Sequence, residues 1–215
     1  MNSKLLIIGA GGHGHVVAEI ALKMNRWSQI AFLDNNEKRG SALKLDIIGK
    51  SDDAFRYIYE YDLFVAIGDN RIREELHEKL ETAGANIPVL IHPQSIVGEN
   101  VSIGTGSVLM AGSVINCSSK IGKGCIVNTA ATIDHDNVIE DFVHLSPGTH
   151  LAGNVKVGKG TWIGIGGLVS NNVSIFSRCI IGAGAVVIND IIAAGTYVGV
   201  PAKGVNDGKD SNISK

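Results

Sequence analysis

The chain has only three cysteines among 215 residues. A low, odd count excludes a disulfide framework, and Cys117, Cys125 and Cys179 lack the spacing of metal ligands. No metal is expected. Net charge is only −2, so no basic field invites nucleic acid or an anionic membrane surface. There is no run of about 20 apolar residues, which excludes a membrane-inserted helix. Met1 to Gly9 passes from one lysine into an apolar strand ending at glycine, unlike a secretory leader with a small-residue cleavage site. A cytoplasmic protein is expected. Histidine is also scarce, with 7 residues, so its positions carry information.

What is present instead is a period of six. Ile91, Val97, Ile103, Leu109, Ile115, Ile121, Val127, Ile133, Ile139, Leu145, Leu151, Val157, Ile163, Val169, Ile175, Ile181 and Val187 follow one another at that spacing without a break. Four residues after each comes a small or β-branched side chain, such as Ser107, Cys125, Ala131, Thr149 or Ala185; Asn137 is the one amide in that column. Neither a helix nor a half-buried strand repeats every six residues. The hexapeptide pattern is that of a parallel β-helix. Three hexads form one triangular coil, aliphatic residues point inward, and coils stack at about 4.8 Å. Each coil buries its apolar ring only against its neighbours, so stacking is a condition of stability. Cys125 and Cys179 fall on the inward column, where a thiol behaves as a small hydrophobe.

The first third reads as a small parallel α/β unit. A strand over Lys4–Gly9 leads into Gly9-Ala10-Gly11-Gly12-His13-Gly14 and a helical pattern of Val16, Val17, Ile20, Ala21 and Met24. Strands follow at 30–33, ending at Asp34, and at 63–67, closed by Gly68. Ser51 is expected to cap a short helix to about Glu60, and 71–83 reads as helix. The domains expected are 1–88, 89–205 for the β-helix, and a disordered polar tail over 206–215. Gly9, Gly11 and Gly14 match G-x-G-x-x-G between strand and helix, and Asp34 lies 20 residues further on. Glycines let backbone approach a phosphate, and the helix N-terminus favours its charge. Asp34 can accept from a ribose hydroxyl or a base N–H. A nucleotide-diphosphate sugar satisfies this as well as a dinucleotide would, and a unit this small lacks the second half that holds nicotinamide.

In the coils, His144 and His150 each precede an inward leucine and so point outward. His135 lies outside the inward columns, between Asp134 and Asp136. A carboxylate beside an imidazole fixes its tautomer and raises its basicity, which makes a plausible general base. Asp136 is the first choice of partner, provided the chain turns a corner there; Asp134 and Glu140 are the reserves. Trp162, on an outward column, suggests a subunit surface or a ligand wall.

Over nearly its whole length the sequence resembles the sugar O-/N-acyltransferases that carry a nucleotide-sugar domain on a left-handed β-helix. The motifs are GAGGHG at 9–14, FLD at 32–34, AIGDNRIR at 66–73, IHP at 91–93, NTAATIDHD at 128–136, HLSPG at 144–148, AGNVKVG at 152–158 and GVPAK at 199–203. The nearest groups are the enzymes acetylating UDP-4-amino-4,6-dideoxy-sugars of the bacillosamine pathway, their GDP-perosamine relatives, and the sialic acid O-acetyltransferases. The left hand of the coil is implied by this resemblance. So are the roles: His135 as general base with Asp136 orienting it, and His144 at the acetyl thioester. Gly153, Ala183 and Lys203 would line the acetyl-CoA groove. Gly11, Gly12, His13, Asp34, Asn35 and Gly68 would hold the nucleotide, with Asn128 near the sugar. Asp34-Asn35 departs from the two acids that members using UDP-amino-sugars often carry there.

The resemblance implies a homotrimer with sites between subunits. It also implies direct attack of a 4-amino group on acetyl-CoA, without an acyl-enzyme. The alternative acceptor is a hydroxyl, as in sialic acid O-acetylation. A metal hydratase of the carbonic anhydrase type commonly needs His-x4-His, whereas His144 and His150 are six apart. A non-catalytic spacer would leave the Gly-rich turn unexplained.

Overall fold

The computed structural model describes residues 3–36 and 43–205. The tail expected at 206–215 lies outside the described residues.

The α/β unit comprises β1 (Lys4–Ile8), α1 (Gly12–Met24), β2 (Gln29–Leu33), β3 (Ile47–Gly49), β4 (Asp62–Val65) and α2 (Asn70–Thr82). The strands are parallel, in the order β3-β2-β1-β4. Strands covered on both faces read as continuous apolar runs, and Leu5 to Ile8 are all 0% exposed. Three details differ from the sequence reading. β3 was not foreseen, because three residues carry no usable period. The strand expected to reach Ile67 ends at Val65, since its partner β1 runs out at Ile8. The expected helix at Ser51–Glu60 is a six-residue 3-10 turn, Ser51–Arg56, preceded by Lys50. There the Lys50 N–H donates to Asp53 Oδ2 at 2.9 Å, so Ser51 is not the cap.

From β5 (Leu90–Ile91) to β21 (Val186–Val187) the chain forms two-residue strands, one per hexad. Each pairs in parallel with the strand one coil on, as in Ile91↔Leu109, Leu109↔Val127 and Val127↔Leu145. The result is a left-handed parallel β-helix of three sheets. The inward aliphatics form one continuous core; each fully buried Leu, Ile or Val contributes roughly 1.5–3 kcal/mol. Val97 is inward by pattern yet 39% exposed, because it lies in the first coil with nothing stacked beneath it.

The outward columns differ in chemistry. The first face presents Leu90, Val108, Ile126, His144, Trp162 and Ile180. The second presents Ile96, Val114, Thr132, His150, Leu168 and Val186. The third, with Ser102, Lys120, Val138, Lys156 and Ser174, is the most polar. Leu90, Val108 and Ile126 are buried in one core with Val17, Ala18 and Ala21 of α1, so the α/β unit sits on the first face. Its cover ends near His144, and Trp162 and Ile180 beyond it are exposed.

Candidate active site

His135 sits at the corner between the second and third faces. Asp136 adopts a left-handed conformation, φ 61°, which turns the chain. Neighbouring side chains would diverge on a strand; here His135 Nδ1 lies 2.7 Å from Asp136 Oδ2, both side chains being 60% exposed. The two reserve carboxylates are engaged elsewhere. Asp134 accepts from Asn116 Nδ2 at 2.6 Å, and Glu140 from the Lys159 N–H at 2.7 Å. Gly153 lies one coil on. A Cβ there would stand 2.7 Å from His135 Cε1 and Nε2, so glycine makes room for the ring.

Asn137 received no role from the sequence beyond being the odd residue of its column. It is fully buried, and its Nδ2 donates to the carbonyls of Asp134 (2.7 Å) and Ala152 (3.0 Å). Its Oδ1 accepts from the Val155 N–H at 3.2 Å. It therefore ties the His135 turn to the coil above. The signal was the amide itself: a polar group in an apolar column must find partners.

A second group forms on the first face. His144 Nε2 lies 3.3 Å from Asn128 Nδ2, while Asn128 Oδ1 accepts from the Thr129 N–H at 2.8 Å. That orients the amide so that Nε2 is the acceptor. The imidazole stacks on Trp162, with centroids 6.2 Å apart at 24°, and Trp162 Nε1 donates to Ser146 Oγ at 2.8 Å. Burial, then the cationic Arg73 nearby and, less, His13, push His144 down to about 3. It is neutral at physiological pH. Burial followed by Arg73 likewise takes His13 down to about 4, and its buried Nε2 has no hydrogen-bond partner. A cavity of about 560 Å³ opens here, lined by Gly68, Asn70, His144, Trp162, Arg178 and Ile180 among others. His13, Gly68, Asn128 and His144 are thus brought together between the two domains.

The Gly-rich turn lies at the carboxyl ends of β1, β2 and β4, where open α/β sheets bind ligands. Gly14 is demanded by packing, since a Cβ would meet the Gly9 carbonyl oxygen at 1.9 Å. Gly11 precedes the first turn of α1. Gly12 and Gly68 have open space where a side chain would be. Asp34 is 8% exposed and accepts from the Ala10 N–H (2.6 Å) and the Asn36 N–H (2.7 Å), so its carboxylate braces the turn. Asn35 Oδ1 accepts from the Ser51 N–H at 3.0 Å.

Ala183 and Lys203 lie apart, on the last coils. A Cβ at Gly164 would meet the Ala183 nitrogen at 2.7 Å, and Val198 of β22 (Thr196–Val198) pairs with Lys203 of β23 (Lys203–Gly204). Within one chain, neither joins His135 or Gly153. The His135 corner is also the one opposite the first face, which carries the α/β unit. The nucleotide turn and His135 of the same chain therefore look in different directions. Among the described residues, no three His, Cys, Asp or Glu side chains gather as a metal site.

A hexapeptide-repeat β-helix bearing a small parallel sheet defines a class, the hexapeptide acyltransferases with an added ligand-binding domain. The PglD N-terminal domain model matches residues 4–80. The acetyltransferase domain of PglB from Neisseria gonorrhoeae, solved with acetyl coenzyme A, is 42% identical, covers 95% of this chain and 100% of its own, and superposes with a TM-score of 0.91. A mutant of perosamine N-acetyltransferase from Caulobacter crescentus, solved with CoA and GDP-perosamine, is 36% identical over 95% of this chain and 97% of its own, TM-score 0.90. UDP-N-acetylbacillosamine N-acetyltransferase from Bacillus subtilis is 37% identical over 108 residues, 49% of this chain and 50% of that protein. The chain spans about half the length of the curated relatives it matches. It belongs to the family of nucleotide-sugar N-acetyltransferases that these proteins represent.

Proposed function

We propose that this protein transfers the acetyl group of acetyl-CoA to the 4-amino group of a nucleotide-linked 4-amino-4,6-dideoxy-sugar, with UDP the first choice of nucleotide. The observation carrying this reading is the solvent-facing His135–Asp136 pair at 2.7 Å with Gly153 making room beside it. The relatives solved with acetyl coenzyme A and with CoA and GDP-perosamine support both substrates.

Asp136 accepts from Nδ1–H of His135, which leaves Nε2 with a lone pair facing outward. A sugar amine is mostly ammonium at neutral pH and attacks only after losing a proton. Nε2 takes a proton as nitrogen attacks the thioester carbonyl. The oxyanion is met by a backbone N–H donor. The C–S bond then breaks, coenzyme A leaves as thiolate, and that thiolate is protonated. No acyl-enzyme forms.

His135 faces away from the nucleotide turn of its own chain, so a complete site takes surface from a neighbour. The apolar residues of the second face, with Trp162 and Ile180 on the first, suit burial between subunits, whereas the lysine-bearing third face suits solvent. A homotrimer answers both requirements. His144, Gly153, Ala183 and Lys203 would then line acetyl-CoA from two chains, and Gly11, Gly12, His13, Asp34, Asn35, Gly68 and Asn128 the nucleotide-sugar. We place the reaction in the cytoplasm, where acetyl-CoA is available.

The test is thiol release from acetyl-CoA with a UDP-4-amino-4,6-dideoxy-sugar, its GDP counterpart and free sialic acid side by side. Turnover with an amino-sugar nucleotide is expected. Turnover with sialic acid alone would overturn the reading in favour of O-acetylation. Light scattering should give three times the 22.6 kDa chain mass.

A further inference from the structure

Arg73 has no part in the chemistry above, yet among the described residues it is the largest fully buried side chain, 1% exposed. A buried cation persists only where its hydrogen bonds are met. Arg73 Nε donates to the Gly124 carbonyl at 2.7 Å. Nη1 donates to the carbonyls of Ile67 (3.0 Å) and Gly68 (3.1 Å). Nη2 donates to Asn70 Oδ1 (2.8 Å) and the Phe142 carbonyl (3.1 Å). All five acceptors are neutral, and four are backbone.

Those acceptors belong to two domains. Ile67 and Gly68 lie in the loop between β4 and α2, at the ligand end of the α/β sheet, and Asn70 opens α2. Gly124 and Phe142 lie on successive coils of the β-helix, the second just before His144. Gly68 also lines the same cavity as the His144 ring, so the loop held by the fork borders that imidazole. A planar guanidinium fixes directions in a way that apolar packing or a lysine ammonium cannot.

We propose that Arg73 is a positioning residue: its fork locks the Gly68 loop, which lies against the nucleotide turn, onto the coils that carry His144, so that this loop and the His144 imidazole line one cavity at a fixed separation. This rests on the proposed transfer reaction. Each domain can still bind its own ligand when the fork is lost; what suffers is their alignment, and a misplacement of about 1 Å costs up to ~10²-fold in rate.

The experiment compares wild type, Arg73→Lys, Arg73→Met and Asn70→Ala for kcat, both KM values, melting temperature and the ring-nitrogen NMR signals of His144, identified by their loss in His144→Gln. Asn70 is only partly buried, so Asn70→Ala loosens the fork even where Arg73 variants do not fold. The expected result is a kcat at least tenfold lower in Arg73→Lys and several-fold lower in Asn70→Ala, per folded molecule. KM should stay within about threefold, and the His144 signals should shift. Melting temperatures that fall while kcat and the His144 signals stay at wild-type values would overturn the proposal, because an ordinary structural residue behaves that way. If the wild type acetylates no amino-sugar nucleotide, the functional reading fails, and the His144 signals still decide whether Arg73 holds the loop.

Discussion

Gly153→Ala tests the His135 assignment without touching His135. The φ of Gly153 lies outside the left-handed region, so alanine brings no backbone strain and acts through its Cβ alone. That atom would stand 2.7 Å from Cε1 and Nε2 and 3.3 Å from Nδ1 of His135. Ordinary contact is about 3.5–4.0 Å, so the ring must move by roughly 1 Å. It is 60% exposed and can swing outward without disturbing the core, so stability should change by no more than about 0.5 kcal/mol. The bond to Asp136, 2.7 Å long, would stretch past the ~3.2 Å limit of a good N–H···O bond. The tautomer is then no longer fixed and the base is misplaced. A fall of ~10–100-fold in kcat is expected, at unchanged melting temperature, below the ~10²–10⁴ for outright loss of a general base. The assay is thiol release at saturating acetyl-CoA and acceptor, with a calorimetric melt alongside. Full turnover in Gly153→Ala would refute the placement of the reacting proton at this ring.

His135→Ala should lower turnover by ~10²–10⁴ while melting normally; Asp136→Asn should lower it at least tenfold but less than His135→Ala, and the reverse order in a rate assay would contradict their roles. Asn137→Ala leaves the Ala152 carbonyl and the Val155 N–H unmet in the interior, while the Asp134 carbonyl keeps its bond from Ser119 Oγ, so urea unfolding should show a loss of roughly 2–3 kcal/mol. His13 and His144 are held neutral in the folded chain down to about 4 and about 3, whereas in the unfolded chain both take up protons below about 6.5. The unfolded state therefore binds more protons in that window. Their stabilisation is complete above about pH 6.5 and declines as pH falls towards those lower values, by up to ~1.4 kcal/mol per pH unit for each histidine. Urea midpoints at pH 7 and pH 5 should show this decline, and His144→Gln should reduce it; an equal decline in the variant would remove His144 from the account.

The seventeen aliphatic hexad positions were legible as a β-helix core because an inward-pointing position must be apolar in every turn of a solenoid, whatever its neighbours are. The same logic made His144 outward and Cys125 inward. The corner at Asp136 is itself periodic, since left-handed φ recurs every six residues, at Ser118, Gly124, Ala130, Asp136 and Phe142 in turn; that the His135 and Asp136 side chains meet there at 2.7 Å is what only the structure shows. The three-residue β3 and the shortened β4 escaped because their lengths are set by the partner strand rather than by their own residues.

Alternation and spacing, then, carry whatever depends on neighbours along the chain: the coil, the Gly-rich turn before α1, and which histidines leave the core. They do not carry what depends on residues distant in sequence meeting in space. That the α/β unit covers the first face, that Gly68 and His144 line one cavity, and that His135 looks away from the nucleotide turn all follow from docking one domain on another. That docking is fixed by long-range contacts such as Arg73 to Gly124 and Phe142, whose energy arises only once both domains have folded.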